Sequence, residues 1–190
     1  MTYISLLRIL KSWNETEVNM DGRVLVAYAT KHGATAEIAE KIGQVFRQAG
    51  LDTDVLLVDH VSDPASYETV VLGSAFYFGQ WRKEAKKFLK NNKKVLAERS
   101  VWLFSSGPTG EGNAMELTEG WHFPKRLQSI ANRIKPRDIA IFHGALNLKK
   151  LSFFEKWIIK KVKAPLGDFR DWDAVTSWAT TITDKLRETT

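Results

Sequence analysis

The stretch Val24-Leu-Val-Ala-Tyr-Ala-Thr-Lys-His-Gly-Ala-Thr35 decides the fold. Its first six residues are a continuous apolar run of strand length. After a short loop, Ile38, Ile42, Val45, Phe46 and Ala49 recur at helical spacing until Gly50 stops the pattern. A strand that is apolar throughout is buried on both faces, the signature of a parallel sheet covered by helices.

Outward from this unit the alternation repeats. Val55–Val58 and Val70–Ser74 read as the second and third strands, and a lysine-rich helix follows from Lys83 to Leu96. Val101–Phe104 reads as the fourth strand, ending in a glycine-rich loop from Ser105 to Asn113. A helix opening near Pro124 leads to the fifth strand, Ile139–Phe142, since proline suits a first helical turn. The last helix starts at Trp172 with Asp171 as its cap and carries Val175, Trp178, Ala179 and Ile182 on one face. Strands alternating with helices in this way predict an α/β domain over residues 23–190, with a doubly wound, five-stranded parallel sheet and helices on both faces. Residues 1–22 read as an extension. Leu6, Ile9, Leu10 and Trp13 share one side of a short amphipathic helix if the segment is ordered.

Composition narrows the chemistry. The 190 residues suit one domain, 44% hydrophobic and 26% charged, with no cysteine. Without cysteine there is no disulfide framework, thiolate metal site, iron–sulfur cluster or cysteine nucleophile. The four histidines show no ligand spacing, so no metal is expected and an organic cofactor would carry any electron chemistry. No apolar run reaches the roughly 20 residues needed to span a bilayer. The opening stretch lacks a signal-peptide core, and a cytoplasmic location is expected. A net charge of +6 favours acidic partners such as anionic lipid or an acidic substrate.

In open parallel sheets the ligand sits beyond the carboxyl ends of the strands. The first such loop is Thr30-Lys31-His32-Gly33-Ala34-Thr35, where hydroxyls, a glycine and the free N–H groups of a helix start converge. It reads as a phosphate cradle or as a capped turn. No G-x-x-x-x-G-K-[ST] follows a strand and no G-x-G-x-x-G follows the first, against a P-loop or dinucleotide site. Ser74 and Ala75 stand where a phosphoacceptor carboxylate would end a receiver-domain strand. The third loop, Ser74-Ala75-Phe76-Tyr77-Phe78-Gly79-Gln-Trp81, concentrates aromatics that a planar ring would cover. The fourth, Ser105-Ser106-Gly107-Pro108-Thr109-Gly110, offers N–H groups and hydroxyls to the polar edge of a heterocycle. Together these loops fit a phosphorylated flavin.

The segment Tyr28–Thr35 resembles the phosphate-loop signature of the flavodoxin-like FMN-binding family, and the similarity of element order runs from Arg23 to Glu188. That resemblance implies a strand order of 2-1-3-4-5 and FMN as cofactor. Thr30 to Thr35 would bind the phosphate, and Ser74 to Gly79, Trp81 and Ser105 to Gly110 the ring. Within the family the chain is most similar to menaquinone-dependent protoporphyrinogen dehydrogenases. The shared features are Gly73–Gly79, His143-Gly-Ala-Leu146 and the basic aromatic segment before the last helix. The glycine and glutamate between Ser105 and Gly120 depart from the basic insertion expected of the bacterial enzyme. The resemblance implies an oxidoreductase of haem biosynthesis with a porphyrinogen substrate and a quinone or redox protein as partner. His143 is a candidate proton-handling residue or a structural histidine. The alternative is an electron carrier without a small-molecule substrate.

The basic segment, residues 148–165, reads as a helix over Lys149–Lys163. Lys149, Lys156, Lys160 and Lys163 fall on one face, Leu151, Phe154, Ile158 and Val162 opposite, and Phe153 and Trp157 at the boundary. It is either a surface helix with its apolar face on the core or a peripheral contact with anionic membrane at the inner membrane surface. With no recognition motif among the lysines, no nucleic-acid partner is expected.

Overall fold

The computed structural model describes residues 22–77, 79–162 and 164–188. The amphipathic reading of the N-terminal extension, and the site and face assignments of Phe78 and Lys163, lie outside the described residues. Five strands, β1 Val24–Ala29, β2 Thr53–Leu57, β3 Thr69–Tyr77, β4 Ser100–Ser106 and β5 Asp138–Phe142, pair in parallel in the order β2-β1-β3-β4-β5. The sheet is covered by helices on both faces. The main helices are α1 Ala34–Gln48, α2 Lys83–Asn91, α3 Gln128–Ile134, α4 Phe153–Val162 and α5 Trp172–Arg187.

The pleat sorts each strand onto two cores. Leu25, Ala27 and Ala29 of β1 face Ala85 and Leu89 of α2 and Ala131 and Ile134 of α3. Val24 and Val26 face Ile38, Ile42 and Phe46 of α1 and Val175, Ala179 and Ile182 of α5. The helical spacing read from the sequence is the spacing that reaches the sheet. α5 starts where expected, the Asp171 carboxylate accepting from the Ala174 N–H at 2.9 Å.

Several boundaries differ from the sequence reading. β3 continues past Ser74 to Tyr77, then folds back so that Phe76 pairs with Trp81 and Tyr77 with Gln80. Gly79, at φ 72, makes that turn. β4 takes in Ser105 and Ser106, read from sequence as loop, because both hydroxyls find partners in the fold (below). The lysine helix breaks at Asn92, whose side-chain amide donates to the Phe88 carbonyl at 2.9 Å, and resumes as one turn at Lys93–Leu96. Pro124 opens a 3-10 turn, Lys125–Leu127, before α3 begins. The basic segment is helical only from Phe153, and Leu148–Lys150 forms a separate 3-10 turn.

One contact fixes the middle of the sheet. Gly73 stands opposite Phe104 across β3 and β4, and a Cβ on it would lie 2.0 Å from Phe104 Cζ. The Phe104 ring is fully buried and packs against Phe142 and Trp178 at 5.8 and 6.1 Å between centroids, so it has nowhere to move. Gly73→Ala is therefore expected to destabilise the domain by about 1–3 kcal/mol through overpacking. Urea unfolding should show this as a lower midpoint at unchanged slope.

Candidate functional site

The site lies where strand order reverses, beyond the carboxyl ends of β1 and β3. Gly33, at φ 96 and ψ −17, turns the chain from β1 into α1. Its N–H donates to Thr30 Oγ1 at 3.0 Å, which leaves the Thr30 hydroxyl proton to donate elsewhere. The first helical bond runs from Glu37 N–H to the Gly33 carbonyl at 3.1 Å. The N–H groups of Ala34, Thr35 and Ala36 precede it and, with the positive end of the helix dipole, face this loop. The Thr35 side chain is buried, its hydroxyl 2.8 Å from Ser106 Oγ, which ties the start of α1 to the end of β4.

The loops after β3, β4 and β5 close tightly around this point. A Cβ on Gly107 would lie 2.4 Å from the Phe76 carbonyl oxygen, and one on Gly144 would lie 3.1 Å from Gly107 Cα. Gly107 N–H donates to the Phe142 carbonyl at 3.2 Å and Gly144 N–H to the Pro108 carbonyl at 2.9 Å. A side chain on Gly107 would run into the Phe76 backbone and one on Gly144 would press on Gly107, so the two glycines let the strand ends meet.

An inner cavity of about 170 Å³ results. Of the residues singled out by sequence, Thr30, His32, Ala34, Thr35, Ala75, Phe76, Tyr77, Ser106, Gly107 and Thr109 line it. Two hollows adjoin it. One of about 560 Å³ shares His32, Ala34, Ala145 and Leu146 and extends to Asp168 and Arg170. The other, about 300 Å³, shares Tyr77, Leu146 and Ile159 and is edged by Lys31 and Arg82. Ligand pockets typically span roughly 300–1,000 Å³, so a ligand seated in the inner cavity extends into its neighbours.

Other predicted residues serve elsewhere. Ser74 is fully buried and accepts from the Arg82 N–H at 3.0 Å. Trp81 is buried edge-on against Phe123, with ring centroids 5.0 Å apart, and its Nε1 donates to Ser105 Oγ at 2.8 Å. Ser105 in turn donates to the His122 carbonyl at 2.6 Å. These three hold the β3 hairpin and the residue 122 loop together instead of lining the cavity. Gly79 forms the hairpin turn, Pro108 contributes the carbonyl named above, and Gly110, at φ 131, packs near Leu117 and Pro165. His143 is held with Nε2 3.0 Å from the Gly112 carbonyl and does not line the cavity.

Lys31 and His32 both meet Glu155 of α4. Lys31 Nζ is 2.5 Å and His32 Nε2 3.0 Å from the same oxygen, Oε1. Lys31 holds the Glu155 carboxyl far below the usual carboxylate range against the opposing effect of burial, and Ser152 and His32 add to the lowering. Burial, and then the Glu155 charge, push the Tyr77 phenol up. Nearby, Arg170 is mostly buried between Glu37 and Asp168, at 2.7 and 2.5 Å, and joins α1 to the short ladder of Ala145–Leu146 with Gly167–Asp168. Arg170 in turn lowers the Asp168 carboxyl.

Sequence reasoning directed attention to the loop after β5 but did not place Gly144, Ala145 and Leu146 in the lining. It also missed Ile159, Ala164 and Glu155. The position after a strand end signals the first three. For the others, which come from a long connection, nothing local in the sequence marks the site. Among the described residues no cluster of three or more His, Asp or Glu could hold a metal ion.

The profile of the flavodoxin domain family matches residues 25–173. The chain belongs to that family. This flavodoxin domain is similar to protoporphyrinogen IX dehydrogenase (quinone) of Escherichia coli strain K12. The two are 21% identical over 177 residues, 86% of this chain and 97% of the relative. Among solved structures it is similar to a flavodoxin from the domain Archaea, with a TM-score of 0.57, 13% identity and coverage of 87% of this chain and 99% of that one. It is also similar to rubredoxin oxygen:oxidoreductase from Desulfovibrio gigas, with a TM-score of 0.58, 12% identity and coverage of 87% and 36%. At these identities the structures show the fold.

The Thr35–Ser106 pair offers a test of how the site is held. Thr35→Val leaves a buried Ser106 hydroxyl without its partner and is expected to cost about 1–3 kcal/mol. Thr35→Val combined with Ser106→Ala should cost less than the sum of the singles, measured as a double-mutant cycle in urea.

Proposed function

We propose that this flavodoxin domain binds FMN and acts as an FMN-dependent oxidoreductase. In this reading it oxidises a porphyrinogen for haem biosynthesis and passes the electrons to a quinone. One observation carries the proposal: a single cavity at the β1/β3 crevice gathers the N-terminus of α1, Phe76 and Tyr77, and the Ser106–Thr109 loop. The N–H groups of Ala34, Thr35 and Ala36 and the Thr30 hydroxyl would hold the phosphate. Phe76 and Tyr77 would flank the ring, and N–H groups of the loop beyond Pro108 would meet its polar edge. The positive φ of Gly33 turns the chain so that the start of α1 faces the cavity, and the close approach of Gly107 to the Phe76 carbonyl brings the two loops together at its edge.

Bound FMN supplies electron and hydride transfer, and the protein supplies binding, orientation and electrostatics. The substrate and acceptor are supported by the similarity to the Escherichia coli dehydrogenase across nearly the whole length of both chains. The net charge of +6 suits a substrate bearing carboxylates. The second reading, an electron carrier, is favoured by the lining itself. Its titratable side chains are His32 and Tyr77, with no carboxylate or lysine poised to move a proton. A quinone or a redox protein is the partner in either case.

No helix among the described residues is long and apolar enough to cross a membrane. α4 suits a peripheral contact instead, placing a cytoplasmic domain against the inner membrane surface. Phe153, Phe154 and Trp157 are 89%, 66% and 54% exposed, with Lys156, Lys160 and Lys161 among them. The inward side carries Glu155, Ile158 and Ile159, while Phe154, on the apolar face read from the sequence, edges the outer hollow and stays largely exposed. Exposed aromatics beside lysines match the chemistry of an anionic lipid interface.

The purified protein is expected to retain the visible absorption of oxidised flavin through desalting at one FMN per chain. Gly33→Asp, which sets a carboxylate at the phosphate, should abolish that retention. Full flavin in Gly33→Asp would overturn the placement of the phosphate site. Porphyrin formation from protoporphyrinogen with a quinone acceptor would then distinguish the enzyme from the carrier. For the peripheral contact, cosedimentation with phosphatidylglycerol vesicles should fall at least several-fold in Phe153→Glu/Trp157→Glu. Equal binding by both proteins would exclude α4 as the contact.

A further inference from the structure

α4 opens with a capping box whose acidic member has a second task. The Ser152 N–H and hydroxyl donate to Glu155 Oε2 at 2.9 and 2.8 Å, and the Glu155 N–H reaches Ser152 Oγ at 3.4 Å. That reciprocal arrangement starts the helix. Oε1 plays no part in it. This oxygen takes Lys31 Nζ and His32 Nε2, both from the loop that begins α1.

The consequence is electrostatic. Lys31 is the lysine of that loop, yet it edges the outer hollow beside Glu155 and is not among the residues lining the inner cavity. His32 lines the inner cavity while bonded to the same carboxylate oxygen. A phosphate at the start of α1 therefore meets N–H groups and hydroxyls beside a lysine–glutamate pair whose charges cancel. We propose that Glu155 determines specificity. By neutralising Lys31 it sets how strongly the loop prefers a phosphorylated flavin to the same flavin without phosphate. This inference rests on the flavin reading given above.

A purely structural Glu155 would behave differently. If it served only to fasten α4 over the cavity, replacing it would change the binding of both flavins alike. Glu155→Gln separates the two roles. The amide keeps the side-chain size and an oxygen for the Ser152 cap, as glutamine does in capping boxes, and removes the charge together with the acceptor that holds Lys31.

The test is a titration of the full chain with FMN and with riboflavin, followed by quenching of flavin fluorescence. In Glu155→Gln the Kd for FMN should fall about tenfold, the scale of one unit charge acting across several ångströms in a partly screened site. The Kd for riboflavin should change by less than about twofold, since that ligand has no charge for the field to act on. The FMN gain should shrink as salt is raised. Lys31→Met removes the cation paired with Glu155 and should shift the FMN-to-riboflavin ratio the opposite way. The double variant Lys31→Met/Glu155→Gln should return the ratio to near the parent value. An unchanged ratio in Glu155→Gln, or equal weakening of both ligands, would overturn the charge-cancelling role and leave the flavin reading standing. If the parent protein binds neither flavin, the flavin reading falls and this inference falls with it.

Discussion

The fold hangs on the central position of β3. It is paired with β1 from Thr69 to Ser74 and with β4 from Thr69 to Ala75, so both edges of its backbone are occupied. Helices cover both its faces, so a charged side chain within the run would be buried without water or partner. Val70, Val71 and Leu72 meet that demand, and Gly73 makes room for the Phe104 ring from the neighbouring strand. Because β1 and β4 flank β3, the connections leaving β1 and β3 go to opposite faces of the sheet. Their divergence opens the crevice lined by Thr30, His32, Thr35, Phe76, Tyr77 and Ser106.

Polar groups then fix the crevice rim. Three serine hydroxyls in β3 and β4, Ser74, Ser105 and Ser106, are buried and each is hydrogen-bonded to a different loop. A buried hydroxyl without a partner would cost about 1–3 kcal/mol, so each bond restricts where its loop can sit. Ser74 positions the start of α2, Ser105 the hairpin Trp and the residue 122 loop, and Ser106 the start of α1. The same three bonds explain why these serines do not themselves line the cavity in force: of the three, only Ser106 reaches it. Rigid strand ends, not flexible loops, thus set the geometry available to a ligand.

How much was legible in the sequence follows from this division. Apolar runs and helical spacing report burial directly, so the parallel sheet, its helices and the Asp171 cap could be read. The turn from β1 into α1 could also be read, because Gly33 and the hydroxyls act within six residues of one another. Ser105 and Ser106 looked like loop because a serine in a strand is tolerated only through partners far along the chain. The aromatics after β3 posed the same problem. Trp81 folds back into the core while Tyr77 stays 36% exposed at the site, and only the hairpin register distinguishes them. For α4 the sequence left the apolar face on the core or on a membrane, and the structure divides it: Ile158 and Ile159 meet the domain while Phe154 stays largely exposed at the edge of the outer hollow. The bond from Glu155 to His32 spans 123 positions, and no local pattern encodes it.

The distribution of charge separates cofactor from partner. With a net charge of +6, a site that holds an anion might be expected to concentrate the lysines and arginines. The structure does the opposite. Lys31 is matched by Glu155, and Arg170 by Glu37 and Asp168, so the ion pairs around the crevice leave it close to neutral or slightly acidic. The excess positive charge lies outside, on the exposed lysines of α2 and α4. A field of that kind acts at long range, drawing an acidic surface or substrate toward the molecule and fading with salt. Within the crevice, helix N–H groups, glycine backbone and aromatic surface remain, and in the proposed FMN reading these would hold a phosphorylated ring by shape and direction. In that reading, a basic surface around a neutral crevice would let the domain meet acidic partners without those partners competing for the groups proposed to hold the cofactor.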